Sequence, residues 1–384
     1  MVAPFMPDAE KVAAVREALP AVAAGIYLNT PVAGPLPAET AAAMAEIAGW
    51  EVTTGRAQRD RADDARGRID EARGAVAAIL TADIDDIVLT HGIDEAYGVA
   101  FRTVDLRDGD VIVTWDEDVA ARVRATAPHR VAIVAAGDDR ELPAHTALVA
   151  CPLVSAFTGE RLPVEAIARQ ARELGARLIV DASLAAGAVP VDRQALGADA
   201  LVVRSEAFLL GPEGLAAVAA PRDVVAARLA GHPGRGTAAV DQLDVAGVGF
   251  HLPSVVGFAR SCGWLSMYVG LEWIYRRGAA LAEAAAERLR ATPGVEVLTP
   301  RDAVATVIAF RIAGWTPDAA LDEIGARVFA IVGAVPSLGA IRIGVAFFNT
   351  REEVDRFIDT VALLAAHTPE TLPARLRLTV LGSP

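Results

Sequence analysis

Five side chains able to move protons stand just past short apolar runs. His91 and Asp94 follow Ile87-Val88-Leu89, and Asp118 lies in Trp115-Asp116-Glu117-Asp118 after Val111-Ile112-Val113. Asp181 closes Leu178-Ile179-Val180, and Glu206 follows Ala200-Leu201-Val202-Val203. Carboxylates gathered in one crevice push one another's pKa values apart, leaving one as an acid and another as a base. Amine chemistry is almost absent, because the chain has a single lysine, Lys11, within its first dozen residues. An arginine cannot replace it as a nucleophile. The histidines and acids show no tight ligand spacing, so no metal is expected.

The elements that must position these groups alternate along the chain. Strand-length runs, also including Val131–Val134 and Ala147–Val149, are separated by helical stretches such as Arg61–Leu80 and Pro163–Glu173. Continuous apolar runs between amphipathic helices predict a mostly parallel sheet covered on both faces. In such sheets ligands collect at the carboxyl ends of the strands, where these residues stand. The expected organisation is a large α/β domain over 15–253, linking helices over 254–290, a small α+β domain over 291–367 joined by residues 1–14, and a tail over 368–384. In the small domain, strands are expected at Val295–Leu298, Thr306–Ile312, near Val328–Val332 and at Ile341–Val345. Helices are expected at Pro317–Arg327 and Arg351–Ala366.

Composition sets the outer limits. The 384 residues are 53% hydrophobic and only 5% aromatic, enough for a large aliphatic core. A net charge of −13 disfavours nucleic-acid phosphates and anionic membranes as partners. Cys151 and Cys262 have no CxxC spacing and read as structural thiols. Met1–Lys11 carries Asp8 and Glu10 with no apolar signal region, and no apolar run reaches membrane-spanning length, so a cytoplasmic protein is expected.

In order, several segments resemble the class V aminotransferase and cysteine desulfurase branch of the fold type I pyridoxal-phosphate (PLP) enzymes. They are Tyr27–Pro37, Thr158-Gly159-Glu160-Arg161-Leu162-Pro163-Val164, Val180-Asp181-Ala182-Ser183, Leu209-Leu210-Gly211-Pro212-Glu213-Gly214, Ile341-Arg342-Ile343 and Phe348–Asp355. The resemblance spans roughly residues 25 to 366. It implies the fold type I architecture, a homodimer with its crevice near the subunit interface, and roles for particular residues. Asp181 matches the partner of the cofactor's pyridinium, and Arg342 the arginine that grips a substrate α-carboxylate through a two-pronged fork. The loop Gly234-Arg235-Gly236-Thr237 and His251 fall where similar proteins reach the partner subunit's site.

Other positions depart from the family pattern. Glu206 stands for the usual histidine and Ala207 for the Schiff-base lysine. In the phosphate loop, Ile93 and Asp94 replace hydroxyl donors. Asp118 takes the ring-stacking position, with Trp115 as a substitute platform, and Leu184 replaces a polar partner of the ring. A methyl group forms no imine, so the expectation is that no cofactor is used, with non-covalent PLP left open. The expected function is a PLP-independent enzyme on this scaffold, of lyase, isomerase or cyclase type. Its acid–base chemistry would act on an amino-acid-like or amine-bearing carboxylic acid in specialised biosynthesis. Glu206, Asp94, Asp118 and His91 would be catalytic, and Arg342, Asp181, Trp115 and Ala207 would line the substrate. The alternative is a non-catalytic binding or partner protein on the same scaffold.

Overall fold

The computed structural model describes residues 6–57, 61–126, 132–135, 141–224 and 249–374. The Gly234–Thr237 loop and the last ten residues of the tail lie outside the described residues. The elements run α1 (Asp8–Glu17), β1 (Ile26–Tyr27), α2 (Ala38–Thr54), α3 (Arg61–Leu80), β2 (Ile87–Thr90), α4 (Ile93–Phe101), β3 (Val111–Thr114) and α5 (Glu117–Thr126). Next come β4 (Ala132–Ala135), β5 (Thr146–Pro152), α6 (Val164–Glu173), β6 (Arg177–Asp181), α7 (Arg193–Leu196), β7 (Ala200–Arg204) and β8 (Ala216–Ala219). After them follow α8 (Leu252–Gly263), α9 (Leu271–Ala291), β9 (Val295–Val297), β10 (Val307–Ile312), α10 (Pro317–Val328), β11 (Ala330–Ile331), β12 (Gly333–Val335), β13 (Ala340–Gly344) and α11 (Arg351–Ala365).

Seven strands form the main sheet in the order β2-β8-β7-β6-β5-β3-β4. Only β8 runs against its neighbours, pairing antiparallel with both β2 and β7. The carboxyl ends of β2, β3, β5, β6 and β7 therefore share one edge, as a crossover-connected sheet requires. Each face is buried. Val149, Val180 and Val203 point into one apolar cluster with α3 and α6, and Ile112, Ile179 and Val202 into another with α4 and α5. The β-branched runs earn their strand conformation by this two-sided burial.

The second sheet, β12-β13-β10-β9, is antiparallel and packs with α10 and α11 on its own cluster around Phe310, Ile343 and Phe357. Between the sheets, the linking helices are two, α8 and α9. A π-helical turn at Trp264–Val269 ends at Gly270, whose φ of 91° restarts the chain as α9. The strand expected near Val328–Val332 is two short pieces: Phe329 takes a left-handed φ of 56° and ends α10, β11 pairs with β1, and β12 joins the second sheet. Helix α1 places Val15 in the large cluster while Arg16 ion-pairs with Glu353 of α11 at 2.6 Å, so this segment touches both units.

Candidate functional site

The crevice sits at the shared carboxyl edge. Among its lining residues are Ile93 at the start of α4, Asp116 and Asp118 at the start of α5, Arg122 one turn later, Asp181 at the end of β6, and Arg204 at the end of β7. It is narrow, with a cavity volume of about 30 Å³, room for a water molecule or two.

Asp181 is the best-fixed group. Its Oδ1 accepts the Ser183 backbone N–H at 2.8 Å and its Oδ2 accepts the Tyr97 hydroxyl at 3.0 Å. Tyr97 reaches it from α4, fully buried among apolar neighbours. Burial first, and then the Asp181 charge, push the Tyr97 pKa well above the ordinary tyrosine value, so the phenol remains a donor. The remaining lone pairs of Asp181 are available to the crevice.

Arg342, on β13, comes across from the small sheet. Its Nη1 donates to the Ala156 carbonyl at 2.7 Å, while its buried Nε has no hydrogen-bond partner. Burial lowers its pKa, and the Arg204 charge lowers it further. A buried guanidinium with an unspent donor is suited to an incoming carboxylate.

Asp116 was not anticipated. It is buried, and its carboxylate accepts the Asp118 N–H at 3.0 Å and the Ser155 hydroxyl at 3.1 Å, with burial raising its pKa. An aspartate just before a helix start carries that capping signal in the sequence. Arg122 was missed as well. It ion-pairs with Asp94, and its Nη2 lies 3.4 Å from Asp118. Burial lowers its pKa, but the charges of Asp118, Asp181 and Asp94 together outweigh that and raise it above the ordinary arginine value. The Asp118–Arg122 spacing of four residues on a helix was the available clue.

Several expected site residues are placed otherwise. The crevice is not simply acidic, because Arg122 ion-pairs with the two outer carboxylates. Asp94 is 77% exposed and outside the lining, and Asp118 is 51% exposed. The backbone N–H and Nδ1 of His91 both face Glu95, at 2.7 and 3.0 Å, its ring stacks on Phe250 at 4.4 Å, and it does not line the crevice. Glu206 pairs with Arg204 at 3.7 Å and does not line the crevice, and burial raises its pKa. Trp115 packs against the large core cluster, and its buried Nε1 has no partner. Ala207 does not line the crevice. It is fully buried, and the next residue, Phe208, lies directly before the Leu-Leu-Gly-Pro-Glu-Gly stretch with its ring against Gly344. Both positions are hydrocarbon. His251 meets Ser254 Oγ at 2.8 Å at the start of α8.

Among the described residues, no group of three or more His, Cys, Asp or Glu is placed to hold a metal, and no helix is long and apolar enough to cross a membrane.

A mostly parallel sheet carrying a strand-end aspartate, with an arginine brought over from a second sheet, defines a fold type I aminotransferase-like protein. The chain belongs to the class V aminotransferase family, which it matches over residues 26–357. Its relatives include a probable cysteine desulfurase of Methanothermobacter thermautotrophicus, 24% identical over 91% of this chain and 97% of the relative. Another, from Mycolicibacterium paratuberculosis, is 28% identical over 81% of this chain, which spans about half of that longer protein. Among solved structures, the apo cysteine desulfurase of Thermococcus onnurineus superimposes with a TM-score of 0.77 at 20% identity, over 95% of this chain and all of that one. A mutant of the cystine C–S lyase C-DES superimposes at 0.81 with 19% identity, over 90% of this chain and 98% of that one. In it, a lysine has been changed to alanine and glycine is covalently linked to the PLP cofactor.

These findings overturn the expectation of a PLP-independent enzyme and of a site without a cofactor. The relatives are named as cysteine desulfurases, and the lysine-to-alanine mutant of the lyase still carries its PLP. The inference from Ala207 failed for a physical reason. Removing an amine removes one covalent link, while the polar contacts that hold a ring and a carboxylate are made by other residues.

Proposed function

We propose that the chain is a PLP-dependent enzyme acting on an amino acid, with the cofactor held by non-covalent contacts. The carrying observation is Asp181, fixed at both oxygens by Ser183 and Tyr97 at the end of β6, in a crevice whose lining residue Ala156 accepts a hydrogen bond from Arg342. The residue types fit the group at the ring-nitrogen and carboxylate ends, and the crevice, about 30 Å³ as it stands, has to open to admit it. Asp181 would hold the ring nitrogen and Arg342 the substrate carboxylate. No lysine lies in the crevice, since Lys11 is packed over Trp273, 4.6 Å from its ring centroid.

When bound, PLP supplies an electron sink for negative charge at the substrate α-carbon. The chain's own residues do the rest. Asp181 would pair with the ring nitrogen, and Tyr97 keeps Asp181 aimed. Arg342 fixes the direction of the substrate, and Ile93, Val119 and Leu184 make the crevice wall apolar. Asp116, buried in the crevice wall with its pKa raised by burial, is the candidate for proton transfer. The relatives make sulfur amino acids the first substrates to try.

Because Lys11 is the only lysine, Lys11→Arg gives a lysine-free chain. PLP titrated against both proteins should raise their melting temperatures equally and bind with similar affinity, and an amino acid should tighten it. Absence of PLP binding to the wild type, with or without amino acids, refutes the proposal. Loss of binding in Lys11→Arg would refute the non-covalent mode.

A further inference from the structure

The phosphate end of the crevice is the part that the reading above leaves without a counter-charge, and the inference that follows rests on that reading. Of the turn between β2 and α4, the side chain that lines the crevice is Ile93, which has no donor. Thr90 Oγ1 donates to the Gly92 carbonyl at 3.2 Å, His91 is bonded to Glu95, Ile93 is apolar and Asp94 is an acceptor. A phosphate dianion there needs a cation from elsewhere.

Two arginines line the crevice itself. Arg204 is turned aside, with Nη2 on the Pro31 carbonyl at 2.5 Å and Nη1 facing Glu206. Arg122 stands beside Ile93 and is ion-paired with Asp94 and Asp118. We propose that Arg122 is the anion-binding residue of this crevice and takes the cofactor phosphate in exchange for Asp94 and Asp118.

The exchange is physically easy. Both carboxylates are exposed enough to be hydrated once released, and pairs of that kind are worth little. The guanidinium matches phosphate oxygens with a planar pair of donors. Asp94 then acts as a competitor that occupies the cation until the phosphate arrives.

Binding of three probes by equilibrium dialysis or calorimetry tests this: PLP, pyridoxal without the phosphate, and inorganic phosphate. Arg122→Ala should weaken PLP and inorganic phosphate by about 10- to 100-fold and leave pyridoxal unchanged. Asp94→Asn, a change at an exposed side chain, should tighten PLP several-fold by removing one of the carboxylates that compete for Arg122. Arg122→Ala binding PLP and phosphate as tightly as the wild type, or more tightly, overturns the proposal. So does Asp94→Asn with unchanged or weaker affinity, which stands as the second test if Arg122→Ala folds poorly. Should the wild type bind inorganic phosphate through Arg122 but not PLP, the anion site stands and the PLP reading falls. Should PLP bind without regard to Arg122, only the present inference falls.

Discussion

Tyr97→Phe isolates one hydrogen bond. The ring is fully buried and phenylalanine fills the same space, so no cavity term arises and the change reduces to the lost donor on Asp181 Oδ2. A hydrogen bond to a charged group is worth about 1.5–3 kcal/mol. The crevice beside Asp181 has room for a water to replace part of it, which favours the lower end, about 1.5 kcal/mol. At roughly 2–4 °C per kcal/mol for a domain of this size, the melting temperature should fall by about 3–6 °C. PLP affinity should fall about tenfold, because Asp181 loses its aim. The pH dependence gives a second signature. The folded-state pKa of Tyr97 is raised, so its contribution is complete below the unfolded value of about 10 and is lost as the pH rises through the folded value. Melting curves of both proteins from neutral pH into alkali should therefore converge above about pH 10. A variant that melts with the wild type at neutral pH and binds PLP equally well would refute the positioning role of Tyr97.

Three further outcomes follow from the same geometry. Arg342→Ala should remove most amino-acid binding, by about 10- to 100-fold, and Arg342→Lys should fall between, since it keeps the charge and loses the fork; thermal shift with amino acids reads both. Glu206→Gln should stabilise the fold at neutral pH by on the order of 1–2 °C. Burial raises the folded pKa of Glu206, so its contribution is complete below about pH 4.3 and lost as the pH rises, and the variant's advantage should vanish in acid. Arg73 on α3 donates to the carbonyls of Ile87 and Ile84 at 2.8 and 3.0 Å; the Ile84 carbonyl keeps the Ile87 N–H, so Arg73→Ala should cost about 1–3 kcal/mol in a denaturant melt through the Ile87 carbonyl.

Much of the fold was legible because β-branched runs and helical patterns follow burial directly. Strand β8 was not, since Ala216–Ala219 has almost no β-branched content and is a strand only because β2 and β7 flank it. In the crevice, Asp181 was legible as the polar end of an apolar strand. Tyr97 was not, because its partner lies 84 residues away and an aromatic on an apolar helix face reads as core. The acids after each strand were visible one by one, but the pairing of Asp94 and Asp118 with Arg122 depends on α4 and α5 packing side by side. The cofactor expectation went astray by letting one missing amine stand for a whole binding site.

Lys11 has a practical consequence of its own. Its side chain is sealed beneath α1, 1% exposed, with Trp273 on one side and a pKa lowered mainly by burial. Apart from the chain's own amino terminus, it is the only primary amine in the protein. Amine-reactive reagents thus meet a molecule with one internal address, which becomes reachable when α1 peels away. The rate at which that address is labelled would be a site-specific clock for the detachment of α1.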